Sequence, residues 1–208
     1  MSHPLLAAAV ETGVRDARVL EALAAVPRTR YAPHGYEAAV DRDRPIPIGD
    51  AQVTTQPSLV ATMVEALELT GFERVLEIGT GLGYQAAILG RLAAEVWSVE
   101  RRPDLAAVAA ANLAGEGNVR VVVGDGSEGL ADSAPYDAIV VAAAHPRVPA
   151  PLAAQLADGG RLLQPIGPSG REDVTLFRRR ADVLVRDRIV ALAHFVPLCG
   201  RHGFRDAT

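Results

Sequence analysis

Cysteine is nearly missing from this sequence. Cys199 stands alone among 208 residues, which excludes an internal disulfide and any multi-cysteine metal site. A lone thiol also fits a reducing compartment. Aromatic residues are scarce, at 4% with one tryptophan, so the core has to be built from Ala, Val, Leu and Ile. No apolar run escapes interruption by charge for the ~18 residues that a membrane span needs. The opening Met1-Ser2-His3-Pro4 lacks a basic stretch followed by a long apolar one, and a cytoplasmic protein is expected. Positive charge is not in excess either: the net charge is −4 and the pI about 5.7. A duplex-binding protein usually carries a basic face, so no nucleic-acid partner is expected.

What is present is ordinary globular material, 49% hydrophobic and 22% charged, too apolar for disorder. The length predicts a single domain over 1–208, acting as a monomer. Residues 1–70 read as an N-terminal extension and 71–208 as a sheet with a C-terminal hairpin. Short helices are expected over 4–11 and 16–26, with Gly13 between them and Asp16 near the second start. Residues 28–55 are punctuated by Pro33, Gly35, Pro45, Pro47 and Gly49. That makes poor helix and poor central strand, and suits a segment wrapped over a site. Pro57 then opens an amphipathic helix through Leu69, ended by Gly71.

From residue 74 the pattern alternates. Strands are predicted at 74–78, 95–99, 119–123, 136–141 and 161–165. Helices are predicted at 84–93, 103–113 and 149–156. Such alternation indicates an α/β fold with a parallel, doubly wound sheet. Two further extended runs, 172–180 and 185–196, have no helix between them and read as an antiparallel edge hairpin.

The strongest local signal is Val75-Leu76-Glu77-Ile78-Gly79-Thr80-Gly81-Leu82-Gly83-Tyr84. A strand feeds a turn with glycine at every second position, and a helix follows. Glycine permits positive φ and close approach of a ligand to the backbone. In open α/β sheets ligands sit beyond the carboxyl ends of the strands. The match to the dinucleotide pattern G-x-G-x-x-G is imperfect: counted from Gly79 the third position is Tyr84, and counted from Gly81 it is Ala86. Glu77 precedes the first glycine by two residues. A carboxylate there repels pyrophosphate but pairs with an ammonium group, which favours S-adenosylmethionine over a dinucleotide. Glu100 ends the next strand, where a carboxylate can accept from both ribose hydroxyls; nicotinamide enzymes use that position too. Asp125 and Gly126 close the third strand, beside the expected place of adenine.

Read with their surroundings, these residues resemble the protein-L-isoaspartate O-methyltransferase family over essentially the whole chain. The narrowest matches are Val26-Pro27-Arg28, Pro45 to Gly49, Gln52-Val53-Thr54-Thr55-Gln56-Pro57, Val75 to Tyr84, Gly124-Asp125-Gly126 and Phe195 to Leu198. The resemblance implies a mostly parallel seven-stranded sheet of the class I S-adenosylmethionine-dependent type. It implies methylation of the α-carboxylate of isoaspartyl residues in aged proteins, starting repair through a succinimide. By the same resemblance, Glu77, Gly79, Thr80, Gly81, Gly83, Tyr84, Glu100, Arg101, Asp125 and Gly126 are cofactor ligands, Thr55 is the catalytic residue, and Val53, Thr54, Val196, Pro197 and Leu198 face the substrate. No metal is implied. Three positions depart from the family's habit: Thr54-Thr55 replaces Ile-Ser, Ser127 replaces an aromatic residue, and Ala142 replaces threonine.

The chemistry asks for little besides geometry. The accepting carboxylate is ionised at neutral pH, so no general base is required, and a neutral hydroxyl at Thr55 suits orientation of one oxygen while the other attacks. A helix cap is the structural alternative for Thr55. His145 ends a strand on the catalytic side but has no proton to move. His34, His194 and His202 show no metal spacing. Arg178-Arg179-Arg180 with Arg186 and Arg188 reads as the solvated face of the edge hairpin, or as an attraction for acidic peptides. The rival functions are a tailoring enzyme that esterifies aspartate in a ribosomal peptide, and a non-catalytic S-adenosylmethionine-binding module.

Overall fold

The protein is described here by a computed structural model covering residues 4–168 and 170–205. Two helices open the chain, α1 (Pro4–Glu11) and α2 (Ala17–Ala25). The Asp16 carboxylate accepts from Arg18 N and caps α2, as the sequence predicts. After 3₁₀ turns at Arg28–Tyr31 and Glu37–Ala39 comes a small antiparallel hairpin, β1 (Pro47–Gly49) and β2 (Gln52–Val53), then α3 (Pro57–Ala66). The remainder alternates: β3 (Arg74–Ile78), α4 (Tyr84–Gly90), β4 (Glu95–Glu100), α5 (Pro103–Asn112), β5 (Val119–Val123), β6 (Tyr136–Val141), α6 (Ala150–Gln155), β7 (Leu156–Ile166), β8 (Glu172–Arg180) and β9 (Val183–Ala193).

Seven strands form one sheet in the order β5-β4-β3-β6-β7-β8-β9. The first five are parallel, while β8 and β9 run as the antiparallel hairpin expected at the edge. Strand β3 is central and covered on both faces, which is why it reads as an apolar run. Val75 packs with Val60, Met63 and Ile88 in one core layer; Leu76 and Ile78 pack with Tyr136 and Leu152 in the other. Glu77 alternates onto the first layer, opposite Ser98 of β4 and Val140 of β6. The edge strands are β5 and β9, and the register of β9 against β8 slips twice, opposite Val174/Thr175 and Leu176/Phe177. No helix among the described residues is long and apolar enough to cross a membrane.

Most boundaries shift by a residue or two and β9 (Val183–Ala193) ends three residues early, while larger departures at α3 and α4 come from distant residues that satisfy the helix ends. Helix α3 ends at Ala66 rather than Leu69: Glu68 turns left-handed (φ +52), and the Arg161 guanidinium accepts the job of satisfying the Leu67 carbonyl at 2.7 Å and that of Glu68 at 3.2 Å. Helix α4 stops at Gly90, where the Asn118 amide donates to the Gly90 and Ala93 carbonyls. Strand β7 begins at Leu156 and runs through Gly159-Gly160, which the sequence places after a helix; the pairing with β6 shifts register there.

Candidate active site

The carboxyl ends of β3, β4 and β6, with the start of the turn after β5, surround a cavity of about 540 Å³. That lies within the roughly 300–1,000 Å³ of small-ligand sites. The glycine turn forms its floor. Gly79 N donates to Val99 O at 2.9 Å, and Gly79, Gly81 and Gly83 all have positive φ. Gly83 is the most constrained: at φ +97 it caps α4, and a Cβ there would stand 2.9 Å from Leu113 Cδ1. It holds the turn against α5 and is not itself on the cavity wall. Gly79, Thr80, Gly81, Tyr84, Glu100, Arg101 and Gly126 are on that wall, as the sequence predicts.

The three acids occupy different positions. Glu100 is on the wall, with Oε2 accepting from Gly81 N at 2.9 Å and Oε1 from Arg102 N at 3.1 Å. It thereby clamps the glycine turn to the loop after β4 and retains lone pairs for a ligand. Glu77 lies beneath the turn, with no exposed surface. Ser98 Oγ donates to its Oε2, and its Oε1 has no hydrogen-bond partner. Burial, opposed only in part by Ser98 and Gln85, pushes its pKa up to about 8. Asp125 sits next to Gly126 of the wall and is tied to the C-terminal segment. It accepts from Ser127 N and Oγ at 2.9 and 2.7 Å and from Arg201 N at 2.7 Å. Burial alone would raise its pKa, but these donors outweigh it and hold the carboxyl below its ordinary value.

The segment from 28 to 55 folds over this cavity as a flap. Its organiser is Arg28, 5% exposed, a residue that the sequence marks only as part of Val26-Pro27-Arg28. The guanidinium donates to the carbonyls of Val40 (3.3 Å), Arg42 (2.8 Å) and Arg44 (2.6 Å) and to Thr54 Oγ1 (3.2 Å), and sits 6.0 Å from the Tyr84 ring centroid. The Thr54 hydroxyl also accepts from Ile46 N, and Thr54 N donates to Ile46 O. Thr54 is thus engaged in holding the flap together. Arg102 pairs with Asp50 at the hairpin tip, tying the flap to the loop after β4. The cap of α3 is supplied by Asp43, whose carboxylate accepts from Ser58 N and Oγ and from Gln56 Nε2. Thr55 therefore does not cap that helix, and no hydrogen bond engages its hydroxyl among the described residues.

A second cavity of about 520 Å³ adjoins the first, between the flap, α3 and the end of β9. Val53, Thr54, Thr55, Ala142 and Val196 line both cavities. Pro197 and Leu198 line the first. Val196 O and Leu198 N are already paired with Ala144 N and O at 2.8 and 2.7 Å. Among the described residues the Val196 N–H and Pro197 carbonyl have no such backbone partner. Cys199 is half-buried and also on the wall. The sequence singles out neither Cys199 nor Gln85, which reaches the wall from the first turn of α4. His145 is structural: Nδ1 donates to Arg147 O at 2.8 Å and the ring meets Phe204 edge-on. The Arg178 cluster is a surface network, with Arg178 on Glu68 and Asp187, Arg186 on Asp173, and Arg188 on Glu68 and Asp187.

These residues fit a nucleoside carrying an amino-acid arm. Glu77 keeps an unpartnered buried oxygen below the turn, and Glu100 lines the wall beside the glycine backbone. Fold and cavity together define a class I S-adenosylmethionine-dependent methyltransferase. The model of the protein-L-isoaspartate(D-aspartate) O-methyltransferase family (PCMT) matches residues 2–203. The protein-L-isoaspartate O-methyltransferase of Methanoculleus marisnigri is 48% identical over 195 residues, covering 93% of this chain and 88% of that protein. That of Anaeromyxobacter dehalogenans strain 2CP-1 is 50% identical over 202 residues, with 95% and 97% covered. A solved protein-L-isoaspartate O-methyltransferase is 31% identical with a TM-score of 0.84, and the match spans 96% of this chain and 66% of that one. A Plasmodium falciparum structure in complex with S-adenosyl-L-homocysteine shares the fold at 20% identity, TM-score 0.77, with 96% and 99% covered. The chain belongs to the protein-L-isoaspartate(D-aspartate) O-methyltransferase family.

Proposed function

We propose that this chain methylates the α-carboxylate of isoaspartyl residues in damaged proteins, and that Thr55 orients the accepting carboxylate. The observation that carries the reading is the place of Thr55, on the wall shared by the two cavities, with a hydroxyl that no hydrogen bond engages among the described residues. S-adenosylmethionine supplies an electrophilic methyl group on a sulfonium. The larger share of the work left to the chain is alignment. The flap and the Val196–Leu198 segment bring an extended peptide to the junction, and its free Val196 N–H and Pro197 carbonyl bind backbone without reading side chains. Thr55 donates to one carboxylate oxygen, leaving the other to attack in line. Charge is neutralised as the bond forms, so exclusion of water by the flap favours the transition state. The ester then exposes a carbonyl with methoxide as leaving group. Attack by the neighbouring backbone nitrogen expels methanol and closes a succinimide, whose hydrolysis returns some ordinary aspartate. A cytoplasmic monomer is part of this proposal, supported by the lone cysteine and the acidic balance.

The test is transfer of labelled methyl to an isoaspartyl peptide and its aspartyl twin. Methylation of the first alone is expected; equal methylation of the twin would favour a tailoring enzyme. A hydrogen bond to a charged group contributes roughly 1.5–3 kcal/mol, so Thr55→Ala should lose on the order of 10–100-fold in kcat/KM. Thr55→Ser should stay within a few-fold of wild type. Wild-type rates in the alanine variant would falsify the role.

A further inference from the structure

Beneath the glycine turn three side chains form a continuous chain from the cavity wall into the core. Thr80, 5% exposed, is on the wall. Its Oγ1 lies 2.6 Å from Ser98 Oγ, and Ser98, fully buried, reaches Glu77 Oε2. Each hydroxyl carries one proton, so the polarity of the whole chain follows the charge of Glu77. With Glu77 ionised, Ser98 donates to it, Thr80 donates to Ser98, and Thr80 presents only lone pairs to the cavity. With Glu77 protonated on Oε2, the oxygen that meets Ser98, every bond reverses, and Thr80 presents a donor.

The surroundings favour the neutral carboxyl while the cavity holds no cation. Ser98 faces Glu77 from β4, Gln85 from α4 and apolar Val140 from β6; the charged group acting on it is another carboxylate, Glu100. A buried carboxylate with a single hydroxyl donor, an unpartnered Oε1 and another carboxylate acting on it is strongly disfavoured. The pKa of about 8 agrees. S-adenosylmethionine brings an ammonium group, which needs acceptors and repels a donor.

We propose that the Thr80–Ser98–Glu77 chain couples cofactor binding to proton release. As the ammonium group settles on Thr80 Oγ1, the carboxyl hydrogen and the two hydroxyl hydrogens each shift outward by one bond, Glu77 becomes a carboxylate, and the outermost proton leaves to solvent. The buried carboxylate is then balanced by the ligand's charge, and Thr80 is the acceptor that reads it. The inference rests on this cavity being the cofactor site.

Calorimetry tests it directly. S-adenosylhomocysteine, which keeps the ammonium, is titrated into the protein at pH 7 in phosphate and in Tris, whose ionisation enthalpies differ. The dependence of the heat on buffer gives the protons exchanged. With Glu77 titrating at about 8, about 0.9 proton released per ligand is expected. 5′-Methylthioadenosine, the same nucleoside without the amino-acid arm, should release none. Glu77→Gln should abolish the release. Thr80→Val keeps the branched shape and breaks the chain at the wall; it should weaken S-adenosylhomocysteine about tenfold, weaken 5′-methylthioadenosine less, and suppress the release. The valine variant and the wild-type buffer pair decide the matter even if Glu77→Gln does not fold. Binding with no proton released, or undiminished release from Glu77→Gln, overturns the coupling and leaves the cofactor site standing. Failure of S-adenosylhomocysteine to bind at all overturns the site assignment and the coupling with it.

Discussion

Replacement of Arg28 by methionine isolates the role of one cation in closing the flap. The methionine keeps an apolar stem and removes the fork that donates to three carbonyls and to Thr54 Oγ1. Burial holds the pKa of Arg28 below the usual arginine value, but the guanidinium stays charged, and these are charge-assisted bonds of roughly 1.5–3 kcal/mol each. Their sum overstates the loss, because the freed carbonyls reach water once the flap opens. Breaking one partner of a buried charged network costs about 3–5 kcal/mol, and the lower end applies here. About 3 kcal/mol corresponds to a drop in Tm of about 6–12 °C for a chain of this size. Hydrogen exchange locates the effect. Amides of Ile46 and Thr54, which bond across the flap, should exchange about 100-fold faster, while those of β3 and β6 keep their protection. Arg28→Lys, with one compact head in place of a fork, should fall between. Unchanged exchange at Ile46 and Thr54 would show that the flap is closed by something other than Arg28.

Other positions respond in predictable directions. Gly83→Ala meets both a left-handed backbone and Leu113, so urea unfolding should show a loss of about 2–4 kcal/mol. Glu77, raised from 4.5 to about 8 in the folded state, makes the ligand-free protein most stable below its ordinary carboxyl range. That contribution, several kcal/mol in size, is lost as pH rises toward and through 8, and Glu77→Gln should flatten the curve of stability against pH. Asp125 has the opposite sign. Its depressed pKa means that its contribution is present above about pH 4 and disappears as pH falls further, which exchange at the Arg201 amide should report. At pH 7 Asp125→Ala should weaken S-adenosylhomocysteine several-fold by loosening the segment that carries Leu198 and Cys199 to the cavity, a change readable by calorimetry.

Strands β3 and β6 were legible because both their faces are buried, and burial leaves a run of Val, Ile and Leu that no other element produces at that length. The glycine turn was legible because positive φ restricts the residue type. The limits of α3 and α4 were not, since Asp43, Arg161 and Asn118 satisfy their ends from far along the chain. The hairpin β1–β2 was hidden for another reason: its tip turns at Asp50 and Ala51, both with positive φ and neither a glycine. Within the site, Gly79, Gly81, Glu100 and Thr55 all line the one cavity. The orientation of the other two acids was beyond reach. Whether Asp125 faces a ligand or Arg201 depends on a loop 76 residues away in sequence, and the depth of Glu77 depends on Ser98 opposing it across the sheet.

The two register slips on β9 acquire a meaning from what this enzyme handles. Aged polypeptides arrive partly unwound, with unpaired backbone seeking a partner, and a smooth bare edge would capture them anywhere along its length. The slips throw Asp187 and Val190 out of step, and Arg186, Asp187 and Arg188 crowd the middle of the rim with charge. A client chain that meets this margin finds a broken ladder and a row of charge, a poor template for a further strand.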